Sequence, residues 1–249
     1  MTNRVAIVTG GSRGLGRALA GGLARAGWRV VIDGRDPDAL AEARWELPEG
    51  VVPVPGDLTD PDHRSALLVT AADLGPLELL VHNAGVLGPS PLPPLSTFPV
   101  DELRPLFEVG VVAPIALTQL ALPFLRARSG AVVGISSDAA VEAYPGWGGY
   151  GAVKAAHDQA LRVLAVEEPA VRVWSVDPGD LRTRMHQAAF PGEDISDRPL
   201  PETVVPAFLA LLDQRPPSGR HQLAAFATAP VSAPASAPAS ASAPTPASA

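Results

Sequence analysis

A single α/β domain, built on a doubly wound parallel sheet with helices on both faces, is the architecture this sequence predicts. Three observations carry the expectation. Short, near-continuously apolar runs rich in Val and Ile alternate along the chain with longer amphipathic runs. A glycine-rich turn joins the first short run to the first amphipathic one. Hydrophobic residues make up 47% of the 249 positions, enough to fill a sizeable core. Strands that are apolar on both sides of the pleat suit a sheet covered on both faces. A repeating strand–helix order then winds helices onto each face in turn.

The expected strands are Val5–Val8, Arg29–Ile32, Val51–Val54, Glu78–Val81, Ala131–Ile135, Val171–Val176 and a weaker His221–Phe226. The expected helices are Leu15–Ala26, Pro37–Trp45, Pro61–Ala72, Asp101–Arg126, Gly149–Glu167 and Glu202–Asp213. In the first helix Leu15, Leu19 and Leu23 form one apolar stripe. Ala18 and Gly22 are small enough for close approach to the sheet, and Gly27 supplies the stop. Within Asp101–Arg126, Pro105 suits a first turn, whereas Pro114 and Pro123 are expected to kink or split the helix. The run Pro89 to Pro94 reads as a stiff exposed loop. One domain is expected over residues 1–229. Residues 230–249 form an Ala/Ser/Pro repeat with no charge, too poor in large apolar groups to offset ordering entropy, and are expected to be a disordered tail.

Composition excludes several functions. A formal net charge of -7 argues against a nucleic-acid surface. With no cysteine there is no disulfide, thiolate catalysis or Cys-ligated zinc. The five histidines lack the spacing of a helical metal site, so no metal is expected. The N-terminus enters a strand directly, without a signal-peptide pattern. No uninterrupted apolar run reaches the ~18 residues of a membrane span. A cytoplasmic protein without membrane partners is the resulting expectation.

Thr9-Gly10-Gly11-Ser12-Arg13-Gly14-Leu15-Gly16 lies where the first strand gives way to the first helix. Backbone N–H groups there can approach a pyrophosphate at the positive end of a helix. Side chains at Gly10, Gly14 or Gly16 would block that approach or the helix packing. The spacing Thr-Gly-x-x-x-Gly-x-Gly resembles the short-chain dehydrogenase/reductase family, whose domain is Rossmann-like. Tyr150-Gly151-Ala152-Val153-Lys154 is similar to that family's Tyr-x-x-x-Lys, and residues i and i+4 share a helical face. An ammonium near the phenol favours phenolate and would lower its pKa from about 10.

The resemblance implies further roles. The family's catalytic serine matches Ser137, at the end of Ala131–Ile135, with Ser136 pointing elsewhere. His82-Asn83-Ala84-Gly85 resembles the segment that supports the sheet beside the cofactor. Pro178 and Gly179 would turn the backbone against a nicotinamide, with Thr183 bonding its carboxamide. Gly10, Ser12, Arg13, Gly14, Leu15, Gly16, Asn83, Ala84, Gly85, Tyr150 and Lys154 complete the expected cofactor site, with Asp57 and Leu58 flanking the adenine. One departure stands out. Gly110, in Val109-Gly110-Val111, occupies the family's asparagine position, and that asparagine helps hold a water joining the lysine to bulk solvent.

The second expected strand ends in Asp33-Gly34-Arg35. Gly34 stands at the position that discriminates cofactors; an acid there would repel a 2′-phosphate, whereas Arg35 and Arg13 can meet one. NADP(H) is therefore expected ahead of NAD(H), for which Asp33 would accept ribose hydroxyls. The implied activity is hydride transfer between a nicotinamide and a small-molecule carbonyl or alcohol. The alternative is a nucleotide-binding sensor that keeps the fold without turnover, with Gly110 its main support. Asp138, Tyr144, Trp147, Asp180 and a lid-like Met185–Pro199 are expected to line the substrate, and the family suggests a homodimer or homotetramer.

Overall fold

The computed structural model describes residues 4–227; the 230–249 repeat lies outside them. Seven parallel strands form one sheet in the order β3-β2-β1-β4-β5-β6-β7. They are β1 (Val5–Val8), β2 (Arg29–Gly34), β3 (Val51–Pro55), β4 (Leu77–His82), β5 (Ala131–Ile135), β6 (Arg172–Asp177) and β7 (Gly219–Gln222). The helices are α1 (Gly14–Arg25), α2 (Pro37–Glu46), α3 (Pro61–Leu74), α4 (Val100–Phe107), α5 (Ala113–Ala127), α6 (Gly148–Glu167), α7 (Arg184–Ala189) and α8 (Val205–Gln214).

Side-chain alternation along each strand divides the core in two. Ala6, Val8, Val30, Ile32 and Val81 meet Leu15, Leu19 and Leu23 of α1, Leu40 of α2, and Phe208 and Leu211 of α8. Val5, Ile7, Val31, Leu80 and Val132 meet Leu67 of α3, Leu117 and Leu125 of α5, and Leu161 of α6. Each fully buried side chain of this size contributes about 1.5–3 kcal/mol. The edge position of β3 tolerates Pro53 and Pro55, which cannot donate to a ladder.

Some expectations need correcting. Gly22 is small for α8 rather than for the sheet: a methyl there would run into Val205. Helix α1 stops as expected, with Gly27 at φ +85° and Trp28 N–H donating to Leu23 O at 3.0 Å. The seventh strand begins two residues earlier than expected, and Leu223–Phe226 is a 3-10 turn. The strand carries the polar Arg220, His221 and Gln222, so apolarity could not mark it. Leu223 is what turns inward.

Val100–Ala127 is helical throughout, with a π turn at Glu108–Val112 in place of a break. Pro114 has no N–H for the carbonyl of Gly110, and the wider turn accommodates the proline ring. This stretch is long and apolar enough by composition to cross a membrane. Leu106, Ala113, Leu117, Ala121 and Leu125 are instead buried within the domain.

Candidate active site

The carboxyl ends of β1, β4, β5 and β6 open into a cavity of about 740 Å³. It spans the place where the strand order reverses, between β1 and β4, where ligands bind in such sheets. Every candidate cofactor or catalytic residue named above lines it except Gly16, whose part is structural. A methyl on Gly16 would strike the carbonyl of Gly10 and the side chain of Asn83.

The phosphate-loop region is held from below by a polar clamp. Thr9 Oγ1 accepts from the N–H groups of Asn83 (3.1 Å) and Ala84 (3.0 Å) and donates to Val81 O. Asn83 Nδ2 donates to Thr9 O (2.9 Å) and Gly10 O (3.2 Å). Gly10 (φ +68°) and Gly14 (φ +54°) take left-handed conformations that favour glycine. Helix α1 has no side-chain cap on its N-terminus, so its first-turn N–H groups face the cavity without an internal acceptor.

Asp33 is not free to hold a ribose. One of its oxygens accepts from Gly10 N–H at 2.6 Å, and the other lies 3.2 Å from His63 Nε2, in a buried position. Its carboxylate builds the loop instead. Arg35 is exposed at the cavity edge. Arg13 is also there, paired with Asp36 at 3.2 Å. Asp57 accepts from the Thr59 backbone N–H (2.9 Å) and hydroxyl (2.8 Å). These bonds, the backbone one foremost, hold its carboxyl below the usual range, and the Arg35 charge acts in the same direction.

Ser137, Tyr150 and Lys154 converge at the other end. Ser136 and Ser137 part as the pleat requires: Ser136 Oγ donates to buried Asp158 at 2.7 Å, while Ser137 faces the cavity. Tyr150 stands edge-on to Trp147, ring centroids 5.7 Å apart. Burial pushes its phenol above the ordinary range, with Asp138 and Asp177 acting the same way and Ser137 opposing. This is the reverse of the lowering expected from Lys154. The ammonium lies 5.6 Å from the ring centroid and donates to Ile135 O at 2.6 Å. Burial pushes Lys154 down to about 8, opposed by Asp158.

Two supports were missed in the sequence. Arg220, on the strand that apolarity marked poorly, donates to Ser137 O and to Asp177, both at 3.0 Å, and its Nε lies 3.4 Å from Asp158. Asp177 in turn accepts from Gly179 N–H at 3.0 Å, shaping the Pro178-Gly179 turn. An arginine in a weak strand and an aspartate on the buried face of α6 were the only signals, and neither indicated the other. Thr183 caps α7, accepting from His186 N–H at 3.1 Å. The Met185–Pro199 stretch therefore begins as helix, and Arg182 N–H ties its far end through Pro199 O at 2.8 Å.

The two departures now have structural accounts. His82 is buried, pushed down to about 3 by burial, and bonded through Nε2 to Thr118 of α5 at 2.7 Å. It joins strand to helix. Gly110 is required by packing: a methyl there would strike Val153, the neighbour of Lys154.

The family model for short chain dehydrogenases matches residues 4–194. The oxidoreductase YciK of Escherichia coli K12, itself uncharacterised, is 32% identical, covering 85% of this chain and 87% of its own. Rat sepiapterin reductase is 36% identical over 74% of this chain and 77% of its own. Among solved structures, one described as a short chain dehydrogenase from Shigella flexneri, complexed with NADP, superposes with a TM-score of 0.80 at 30% identity, covering 89% of this chain and 97% of that one. The chain belongs to the short-chain dehydrogenase/reductase family of NAD(P)-dependent oxidoreductases.

Proposed function

We propose that the chain reduces a small-molecule carbonyl with NADPH, or runs the reverse oxidation, using Tyr150 as acid/base. The observation that carries this reading is the convergence of Ser137, Tyr150 and Lys154 at one end of the cavity whose other end is the phosphate loop. The residues fit the cofactor. The left-handed glycines and uncapped α1 N-terminus suit a pyrophosphate, and the Pro178-Gly179 turn, with Thr183 beyond it, would hold the nicotinamide end. Asp33, turned inward, does not compete for the ribose, which favours NADPH over NADH. Arg35, exposed at the cavity edge, and Arg13, paired there with Asp36, support a 2′-phosphate at that end.

Bound cofactor supplies or accepts the hydride. The protein does the rest. Ser137 holds the substrate oxygen, and Tyr150 gives it a proton or takes one away. Lys154, reduced in pKa by burial, stands one helical turn from Tyr150, where it would orient the ribose. Against the sensor alternative stand Ser137, Tyr150 and Lys154 in one cavity, since a sensor needs no acid/base tyrosine.

The same reading places the protein in the cytoplasm as a homodimer or homotetramer. Val112, Ile115, Leu120 and Phe124 expose apolar side chains along one helical stretch, a surface suited to self-association. Light scattering of the purified chain measures the assembly. Following nicotinamide absorbance with NADPH and NADH against a panel of ketones tests the activity; a cofactor-binding protein that turns over none of them would overturn it.

A further inference from the structure

We infer that Asp138 is a substrate-recognition residue, and that the ketone this site takes carries an N–H or O–H donor on the carbon next to its carbonyl. The inference rests on the proposed reductase reading and names the substrate class of that site.

The observation is an acceptor set beside the candidate catalytic hydroxyl. Ser137 is extended (φ −159°, ψ 158°) and the chain then enters a 3-10 turn, which brings the Asp138 carboxylate back alongside it. Asp138 Oδ1 accepts from Ser137 Oγ at 2.9 Å and Ala139 N–H at 2.8 Å, and Oδ2 accepts from Tyr144 at 3.0 Å. The residue is exposed to the cavity. Three aspartates line this end. Asp177 is paired with Arg220, and Asp180 has Arg198 at 3.7 Å and His186 at 3.9 Å. Asp138 has no Lys, Arg or His partner among the described residues.

The arrangement poses a problem for a simple ketone. Ser137 has one proton, and the Asp138 carboxylate 2.9 Å away competes for it with Tyr150. To hold a substrate oxygen, the hydroxyl must turn away from Asp138, giving up a hydrogen bond to a charged group and leaving that acceptor short of a donor. A substrate that brings its own donor removes the conflict: its carbonyl oxygen takes the Ser137 proton while its N–H or O–H takes the place of Ser137 at Asp138. The two sites, Oγ and Oδ1, are 2.9 Å apart, a separation that a carbonyl oxygen and a donor on the adjacent carbon match. A donor at Asp138 also offsets the negative charge that opposes ionisation of Tyr150. Trp147, Tyr144 and Phe190 supply an apolar wall for the remainder of the molecule.

The test is kcat/KM at saturating NADPH for four matched ketones: propiophenone, its 2-hydroxy and 2-amino derivatives, and its 2-methoxy derivative. The methoxy compound keeps the electronic effect of the oxygen but lacks the donor. A hydrogen bond to a charged group corresponds to roughly a 10- to 150-fold preference. The hydroxy and amino ketones are expected to exceed the methoxy and unsubstituted ones by that factor. In Asp138→Leu the ratios fall to near one. In Asp138→Asn they are intermediate, since the amide oxygen still accepts; NADPH affinity in each variant reports that the site remains folded. Turnover without discrimination in the wild type, an amino ketone no better than the methoxy one, or ratios that survive in Asp138→Leu would each overturn the inference alone. Absence of turnover with all four, from protein that binds NADPH, counts against the reductase reading itself.

Discussion

Replacing Arg220 with methionine removes one cation from between two carboxylates. Asp158 and Asp177 have side chains 6% exposed, whereas Arg220 is 22% exposed. Removing one partner of a fully buried ion pair costs about 3–5 kcal/mol, because the other charge is left uncompensated. The access of Arg220 to water lowers this to about 2–4 kcal/mol, after discounting for solvent screening. For a domain of this size such a loss lowers Tm by roughly 5–15 °C. Urea denaturation followed by circular dichroism measures it directly. The cost should shrink in an Asp158→Asn background, where one fewer charge is stranded, and the double-mutant cycle reads that coupling. Because Arg220 also donates to Ser137 O and to Asp177, which shapes the Pro178-Gly179 turn, turnover should fall and NADPH affinity should weaken with it. A loss below about 0.5 kcal/mol, or full additivity with Asp158→Asn, would refute the reasoning, since residues in one ion-pair network couple by more than that.

Arg35→Ala should weaken NADPH binding by roughly 10- to 150-fold, the value of a charged hydrogen bond, with little effect on NADH; fluorescence titration with both cofactors checks it. Gly110→Asn should destabilise the fold by about 1–3 kcal/mol through overpacking against Val153, and should not raise turnover; thermal melts and steady-state rates decide. Lys154 is pushed down to about 8 by burial. Between there and its ordinary value near 10.4 the unfolded chain holds a proton that the folded chain has lost, so stability from this group rises with pH across that window. Relative to Lys154→Met, the wild type should gain up to about 3 kcal/mol between pH 8 and 10.5, measured by urea denaturation at stepped pH.

The parts of the molecule legible in the sequence are those whose signal is local. Leu15, Leu19 and Leu23 mark a helical face, and the Val-rich runs mark buried parallel strands. The glycines of the first turn reveal their need for left-handed backbone through their spacing. Tyr150 and Lys154 lie on one helix, so their proximity follows from the i, i+4 rule. What stayed hidden depends on contacts between distant segments. Asp33 reads as a ribose ligand until the fold places His63 beside it, thirty positions along. Gly110 reads as a missing side chain until Val153 is seen in its place. The sign of the Tyr150 shift depends first on burial of the phenol and then on Asp138 and Asp177, none of which the motif specifies. Arg220 is the clearest case, since its three partners come from the ends of β5 and β6 and from α6.

The central claim is that Tyr150 moves the proton in a nicotinamide-dependent carbonyl reduction. Tyr150→Phe removes one hydroxyl and keeps the ring packed against Trp147, so folding and NADPH affinity should match the wild type. With a ketone that the wild type reduces, kcat should fall by at least ~100-fold, the lower range of a general acid–base contribution. A Tyr150→Phe protein that binds NADPH normally and reduces the ketone at the wild-type rate would contradict the account.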